Sequence, residues 1–322
     1  MTIQPDISSI REAQELLLSH FPATRLVAAP ALSQTHSNAH VKLETDLPTA
    51  SFKPRGALFA LSRNLRKRSI AEVIACSTGN HGAAVAYAAE TLGLAATIFL
   101  PANPNPVKRK RIADLGARIV EVGGIDLAHA FLEAKEYSGQ PGVFFLNDAT
   151  DPDLPAGPAT IGLEILAQLP EVTAIYVPMG DTALIRGVAA AVRQTNPSVK
   201  IIGVQAERAP SYYLSWKAGR AIPTDSCDTC ADGLATRTPE PENVRSIREL
   251  VDDIVLVTEE EMLHAIRILY QRMGVVAEPA GAAATAAFLK RAPSSGPVVL
   301  LLTGGNISDA VRQQAGIPFP KR

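Results

Sequence analysis

Only three cysteines, Cys76, Cys227 and Cys230, occur in the 322 residues, which excludes a disulfide framework. Cys227-x-x-Cys230 has zinc-type spacing, yet no second pair and no neighbouring histidine complete four ligands, so no metal is expected. Net charge is lacking too. The 31 Lys and Arg face 32 Asp and Glu, a balance that sets up no field for nucleic acid or an anionic membrane. No apolar run approaches the roughly 20 residues a bilayer requires; the richest, Val298 to Thr303, stops at Gly304-Gly305. The stretch Met1 to Arg25 carries Asp6, Glu12 and Glu15 and lacks the charged start and apolar run of a signal peptide. The expectation is a cytosolic protein acting on a small neutral or zwitterionic molecule.

What is present is a globular composition, 47% hydrophobic and 20% charged, in a chain long enough for two lobes. From Ala71 onward short β-branched runs alternate with helix-length amphipathic segments, the rhythm of parallel βαβ units. Glu72–Ser77, Ala95–Leu100, Arg118–Val122 and Val143–Leu146 read as strands of one sheet. Helices at Gly82–Leu92, Val107–Leu115 and Leu127–Tyr137 separate them. A second, larger series has strands at Ala174–Val177, Lys200–Gln205, Ile254–Val257 and Val298–Leu302. Its helices are Thr160–Leu169, Leu184–Gln194, Glu259–Met273 and Gly281–Lys290. The first seventy residues join this larger unit, with Ser8 capping a helix whose Leu16, Leu17 and Leu18 need a surface. The fold class is therefore α/β, with two open, twisted, mostly parallel sheets and flanking helices. Residues 1–70 and 151–322 form a large domain, and 71–150 a small one inserted in it. Ile222 to Asn243 has no clear periodicity and reads as a long functional loop.

Four segments carry chemistry. Lys53, in Ser51-Phe52-Lys53-Pro54-Arg55-Gly56-Ala57, would alone pass for a salt-bridged surface residue. Ser77-Thr78-Gly79-Asn80-His81-Gly82 follows a strand and opens a helix, where free backbone N–H groups bind a carboxylate or phosphate, or where an ordinary turn sits. Glu278-Pro279-Ala280-Gly281-Ala282 and Thr303-Gly304-Gly305-Asn306 come later, the second at the end of a strong strand.

In this order and spacing the set resembles the fold-type II, tryptophan-synthase-β-like, pyridoxal-phosphate (PLP) enzymes. Within them it resembles the threonine/serine dehydratase and serine racemase branch, from about Leu26 to Ile307. The resemblance implies PLP in the cleft between the two domains, a small amino-acid substrate and a homodimer. It implies that Lys53 holds PLP as a Schiff base and, once freed, removes the α-proton. Phe52, Asn80 and Thr303 would contact the cofactor, Asn80 at its ring hydroxyl and Thr303 at the pyridine nitrogen. Ser77, Thr78, Gly79 and His81 would grip the substrate carboxylate. Glu278 would orient the cofactor or donate a proton to the leaving hydroxyl; its other reading is a cap for the helix that follows.

Three departures from the family pattern matter. In place of a tetraglycine phosphate loop stands Gly180-Asp181-Thr182-Ala183-Leu184, which still opens a helix. Asp181 would repel a phosphate if it pointed inward, so its carboxylate is expected to turn outward or cap the helix. The carboxylates that bind a divalent cation in some relatives are replaced by Gln205 and Ser211, with Glu207 offset, so no such metal site is expected. Thr78 stands where racemases carry a serine hydroxyl; its hydroxyl suits racemisation, carboxylate binding or its own backbone. The run Lys108-Arg109-Lys110-Arg111 reads as a solvated helix face, and the other histidines lack ligand spacing. The leading expectation is an ammonia-lyase acting on a β-hydroxy-α-amino acid such as threonine or serine. Racemisation, β-replacement and a cofactor-free binding module are its alternatives.

Overall fold

The computed structural model describes residues 4–32, 38–77, 79–102, 104, 106–123, 127–291 and 296–319. Its strands are β1 (Leu26–Ala28), β2 (Asn38–Leu43), β3 (Glu72–Cys76), β4 (Ala95–Pro101), β5 (Arg118–Val122), β6 (Val143–Phe145), β7 (Ala174–Pro178), β8 (Lys200–Ala206), β9 (Asp253–Val257) and β10 (Pro297–Leu302). The helices are α1 (Ile7–Leu18), α2 (Lys53–Leu65), α3 (Asn80–Leu92), α4 (Pro106–Asp114), α5 (Leu127–Tyr137), α6 (Ala156–Gln168), α7 (Ala183–Thr195), α8 (Ser211–Ala218), α9 (Pro241–Leu250), α10 (Glu259–Met273), α11 (Pro279–Lys290) and α12 (Asp309–Ala315).

Two sheets result. One runs β1-β2-β10-β7-β8-β9, parallel except for β1, which pairs antiparallel with β2. The other runs β5-β4-β3-β6 and is parallel throughout. The central strands β7 and β10 are nearly continuous apolar runs because helices cover both faces of their sheet. The alanine-rich α11 is buried from Pro279 to Phe288 and lies against α10, β10 and β7. The α/β class with two mostly parallel sheets is as expected.

Glycine permits the helix contacts that fix the site. A Cβ at Gly157 of α6 would stand 2.2 Å from the Arg55 carbonyl oxygen, so α2 rests backbone to backbone on α6. A Cβ at Gly187 of α7 would stand 2.3 Å from the Pro155 carbonyl oxygen, which lets α7 close on α6 in the same way.

Some local expectations are corrected. Asp6, not Ser8, caps α1: extended at Asp6, the chain lets its carboxylate accept from Ser9 N at 2.7 Å. Leu17 is buried, whereas Leu18 stays 58% exposed. The segment 222–243 is less featureless than expected, since it contains a 3-10 turn at Asp232–Leu234 and runs into α9 at Pro241. Lys108 is not solvated; it is 4% exposed and points into the molecule. No helix among the described residues is long and apolar enough to cross a membrane.

Candidate active site

Ligand sites of open α/β sheets gather at the carboxyl ends of parallel strands. Here β3 ends at Cys76-Ser77, β6 just before Asp148, β7 before Gly180 and β10 at Thr303, and all these residues line one cavity of about 500 Å³. The same cavity takes in Phe52, Lys53, Gly79, Asn80, His81, Asp181, Thr182, Ala183, Leu184 and Glu278. Every proposed site residue but Thr78 is thus brought together, and Thr78 lies outside the described residues.

Lys53 is the first residue of α2, and the strap before it is pinned to the end of β10. Phe52 N donates to the Thr303 carbonyl at 3.0 Å, Gly305 N donates to the Ala50 carbonyl at 2.9 Å, and Ser51 bridges Gly304. Ala50 takes a positive φ of 51° to make this turn. Lys53 Nζ meets Asp148 Oδ2 at 2.6 Å.

The loop into α3 is held as tightly. Ser77 Oγ accepts from Gly79 N at 3.1 Å, and His81 Nε2 lies 2.9 Å from the Leu146 carbonyl oxygen. Burial lowers the His81 pKa from its ordinary value, more than nearby Asp148 raises it, so the ring is neutral. Asn80 Nδ2 donates to Glu278 Oε1 at 2.5 Å, and Asn306 Nδ2 donates to Asn80 Oδ1 at 2.8 Å.

Glu278 precedes α11 but makes no side-chain capping bond. Its carboxyl is buried, which raises its pKa, opposed chiefly by Lys108 3.3 Å away. Lys108 reaches across from α4 to Asp232 Oδ2 at 2.5 Å, joining the two sheet units over the cavity. A Cβ at Gly79 would stand 2.4 Å from Lys108 Cδ, so glycine leaves room for that stem.

At the opposite wall, α7 begins at Ala183 behind Thr182, which has φ of 69° and gives no side-chain cap. The first-turn amides of a helix have no intrahelical partners, so an uncapped helix opening on a cavity suits an anion. Thr182 Oγ1 instead accepts from the buried Arg186 at 3.2 Å. The two positive-φ non-glycine residues among those described, Ala50 and Thr182, both flank this site, a usual place for stored strain.

Asp181 neither turns away nor caps α7. It lines the cavity, and its Oδ1 accepts from Thr236 Oγ1 at 3.0 Å. Burial and the neighbouring Asp148 push its carboxyl up to about 6. Gln205 Oε1 accepts from Tyr213 N at 2.9 Å and Ser211 donates to the Thr236 carbonyl, both internal roles. Among the described residues no group of three His, Cys, Asp or Glu side chains is placed to hold a metal.

A primary amine on one wall and uncapped amides on the other, with a rim of carboxylate-binding type between them, fit a phosphate-bearing carbonyl cofactor. Sequence reasoning missed Asp148, Lys108, Arg186 and Thr236. Asp148 had a usable signal, since it follows directly on a predicted parallel strand. Lys108 had none, because its run of four basic residues hides the one that turns inward.

Known proteins resemble the chain over most of its length. An L-threonine ammonia-lyase of Geobacter sulfurreducens is 38% identical over 92% of this chain and 75% of its own length. A maize serine racemase structure superposes with a TM-score of 0.90 at 28% identity, covering 97% of each chain. The processed form of threonine deaminase isoform 2 from Solanum lycopersicum gives 0.87 at 29% identity, covering 98% of this chain and 94% of its own. The family model described as "Pyridoxal-phosphate dependent enzyme" matches residues 17–304, and the chain belongs to that family.

Proposed function

We propose that this PLP enzyme removes the β-hydroxyl of a small β-hydroxy-α-amino acid such as L-threonine or L-serine and releases a 2-oxo acid and ammonia. The convergence of the Lys53 amine, the Ser77–His81 loop and the uncapped start of α7 on one cavity carries this reading. The identity to an L-threonine ammonia-lyase supports it.

Bound there, the cofactor supplies the electron sink that makes the Cα–H acidic. Lys53 would hold it, and the Lys53 amine would accept the α-proton at Nζ. Ser77, Thr78, Gly79 and His81 bind the substrate carboxylate. Phe52 and Asn80 would hold the cofactor ring, and the amides from Gly180 to Leu184 its phosphate. Glu278, whose pKa burial raises, is the donor that lets the β-hydroxyl leave as water. Thr303 would supply a neutral hydroxyl to the cofactor ring, leaving a weaker sink than an aspartate would; elimination tolerates that better than transamination does.

The test is ammonia and 2-oxo-acid release from L-threonine, L-serine, a hydroxyaspartate and an aromatic β-hydroxy amino acid. Threonine or serine should be turned over; silence across the panel, or faster cysteine formation from O-acetylserine and sulfide, would sink the reading. The likeness to maize serine racemase favours one second reading, racemisation at the same site, so the enantiomer of unreacted serine is followed in that assay. We carry the division into 1–70 with 151–322 and an inserted 71–150, and a cytosolic homodimer without nucleic-acid or membrane partners, as parts of the same proposal. Balanced charge supports the last point; light scattering of the purified protein reads the assembly.

Asp181 gives a pH-dependent expectation. Its folded pKa is raised to about 6, so above that pH a carboxylate faces the phosphate side of the cavity, and below it a neutral acid does. Asp181→Asn should tighten cofactor binding at mildly alkaline pH by up to about tenfold, on the order of 1 kcal/mol. The gain should vanish as the pH falls below about 6. A cofactor titration of both proteins at each pH cancels the phosphate's own ionisation, and parallel curves would refute the expectation.

A further inference from the structure

The loop after β6 brings a carboxylate to the amine on which the proposed reaction turns. Asp148 Oδ2 lies 2.6 Å from Lys53 Nζ and 3.9 Å from His81 Nδ1. A carbonyl oxygen only accepts, so the 2.9 Å contact to Leu146 O places the imidazole hydrogen on His81 Nε2. Nδ1 is then the bare nitrogen, buried and without a hydrogen-bond partner. Four groups face Asp148: Lys53 at the start of α2, His81 in the first turn of α3, Cys76 at the end of β3 and Asp181 before α7. Of these groups, Lys53 is the one in hydrogen-bond contact with the Asp148 carboxylate. Burial works to raise the Asp148 pKa, yet the 2.6 Å contact with Lys53 holds it below the ordinary carboxylate range.

We propose that Asp148 is the positioning residue of Lys53, fixing the direction of Nζ and balancing the ammonium formed there. The assignment rests on the reading of Lys53 as cofactor lysine and base. In the step concerned, the Cα–H bond breaks and an N–H bond forms at Nζ, while the bonding electron pair stays with the substrate. Nothing is oxidised or reduced. The positive charge that appears on Nζ appears beside a carboxylate already in place, and needs no water to enter the cavity to solvate it. The bare Nδ1 of His81 holds no hydrogen that could compete with Lys53 for Asp148.

Asp148→Asn keeps the size of the side chain and removes its charge. In the cofactor-free protein, acetylation of Lys53 at one mildly alkaline pH, read by peptide mass, should be about fivefold faster in the Asn variant, because its nitrogen is no longer tied up in the 2.6 Å ion pair with a carboxylate. In the loaded enzyme kcat should fall by about a hundredfold with KM within about threefold, and Asp148→Glu should recover at least about a tenth of kcat. Borohydride should still trap the cofactor on Lys53 in all three proteins. Acetylation and kcat both unchanged would overturn the assignment, as would failure to trap cofactor in the Asn variant alone, which would make Asp148 a scaffold for attachment. Failure to trap it on Lys53 of the parent would instead overturn the reading of Lys53, while the acetylation comparison still judges the Asp148 contact. If the Asn variant does not fold, Asp148→Glu decides: faster labelling of Lys53 with kcat retained overturns the assignment.

Discussion

Lys53→Ala lowers turnover by at least about a thousandfold, roughly 4 kcal/mol of barrier, and leaves no borohydride-trappable cofactor on the protein. No other described lysine competes for the role. Lys108, the one further lysine lining the cavity, is committed to Asp232 and Glu278. Lys53→Arg separates chemistry from charge, because it keeps a cation beside Asp148 yet offers no amine that can lose its proton. Both variants should be equally inactive. Peptide mapping after borohydride reduction checks the assignment, and a cofactor trapped on any other lysine in the alanine variant would show that Lys53 is the wrong residue.

Arg55→Ala costs about 3–5 kcal/mol of folding stability, because it strips one partner from a buried ion cluster and leaves the others uncompensated. Arg55 is 1% exposed and two residues from Lys53 on α2. Its Nε meets Glu44 Oε2 at 2.8 Å and its Nη1 meets Glu164 Oε1 at 2.5 Å. Glu164 also takes Lys42 Nζ at 2.6 Å, so two cations and two carboxylates balance. The cluster ties α2 to β2 and α6, and with it the register of Lys53. Burial works to raise the Glu164 pKa, but Arg55 and Lys42 hold it below its ordinary value. Its contribution is therefore complete above the unfolded value of about 4.5 and is lost as the pH falls through the lower folded one. Denaturant melts of both proteins should differ fully at neutral pH and converge in acid; a difference under about 1 kcal/mol at neutral pH would mean that the cluster is not a stabilising unit.

The parallel strands were legible because burial on both faces writes apolar runs into them, as in Val73–Ala75 and Val298–Leu302. The site motifs were legible because each follows a strand or opens a helix. What the sequence withheld is direction. Asp181 was expected to face away from a phosphate, and it lines the cavity, where burial raises its carboxyl to about 6. Lys108 sits among three other basic residues, and its inward turn depends on the absence of a side chain at Gly79, in another element. Ser8 and Asp6 are both good caps on paper; only the extended backbone at Asp6 decides between them. Asp148 was readable in principle, since it comes just after a predicted parallel strand, Val143–Leu146.

Cys76, at the end of β3 beside Asp148, acquires a durability that its position alone would not suggest. Burial and then the Asp148 charge push its thiol up to about 12, so the thiolate is essentially unpopulated at any working pH. Peroxide and alkylating agents attack the thiolate, not the thiol. The carboxylate that faces the Lys53 amine thus also passivates the sulfur on the same wall of the cavity. Cys76 is thereby kept in its unreactive thiol form on the wall it shares with Asp148.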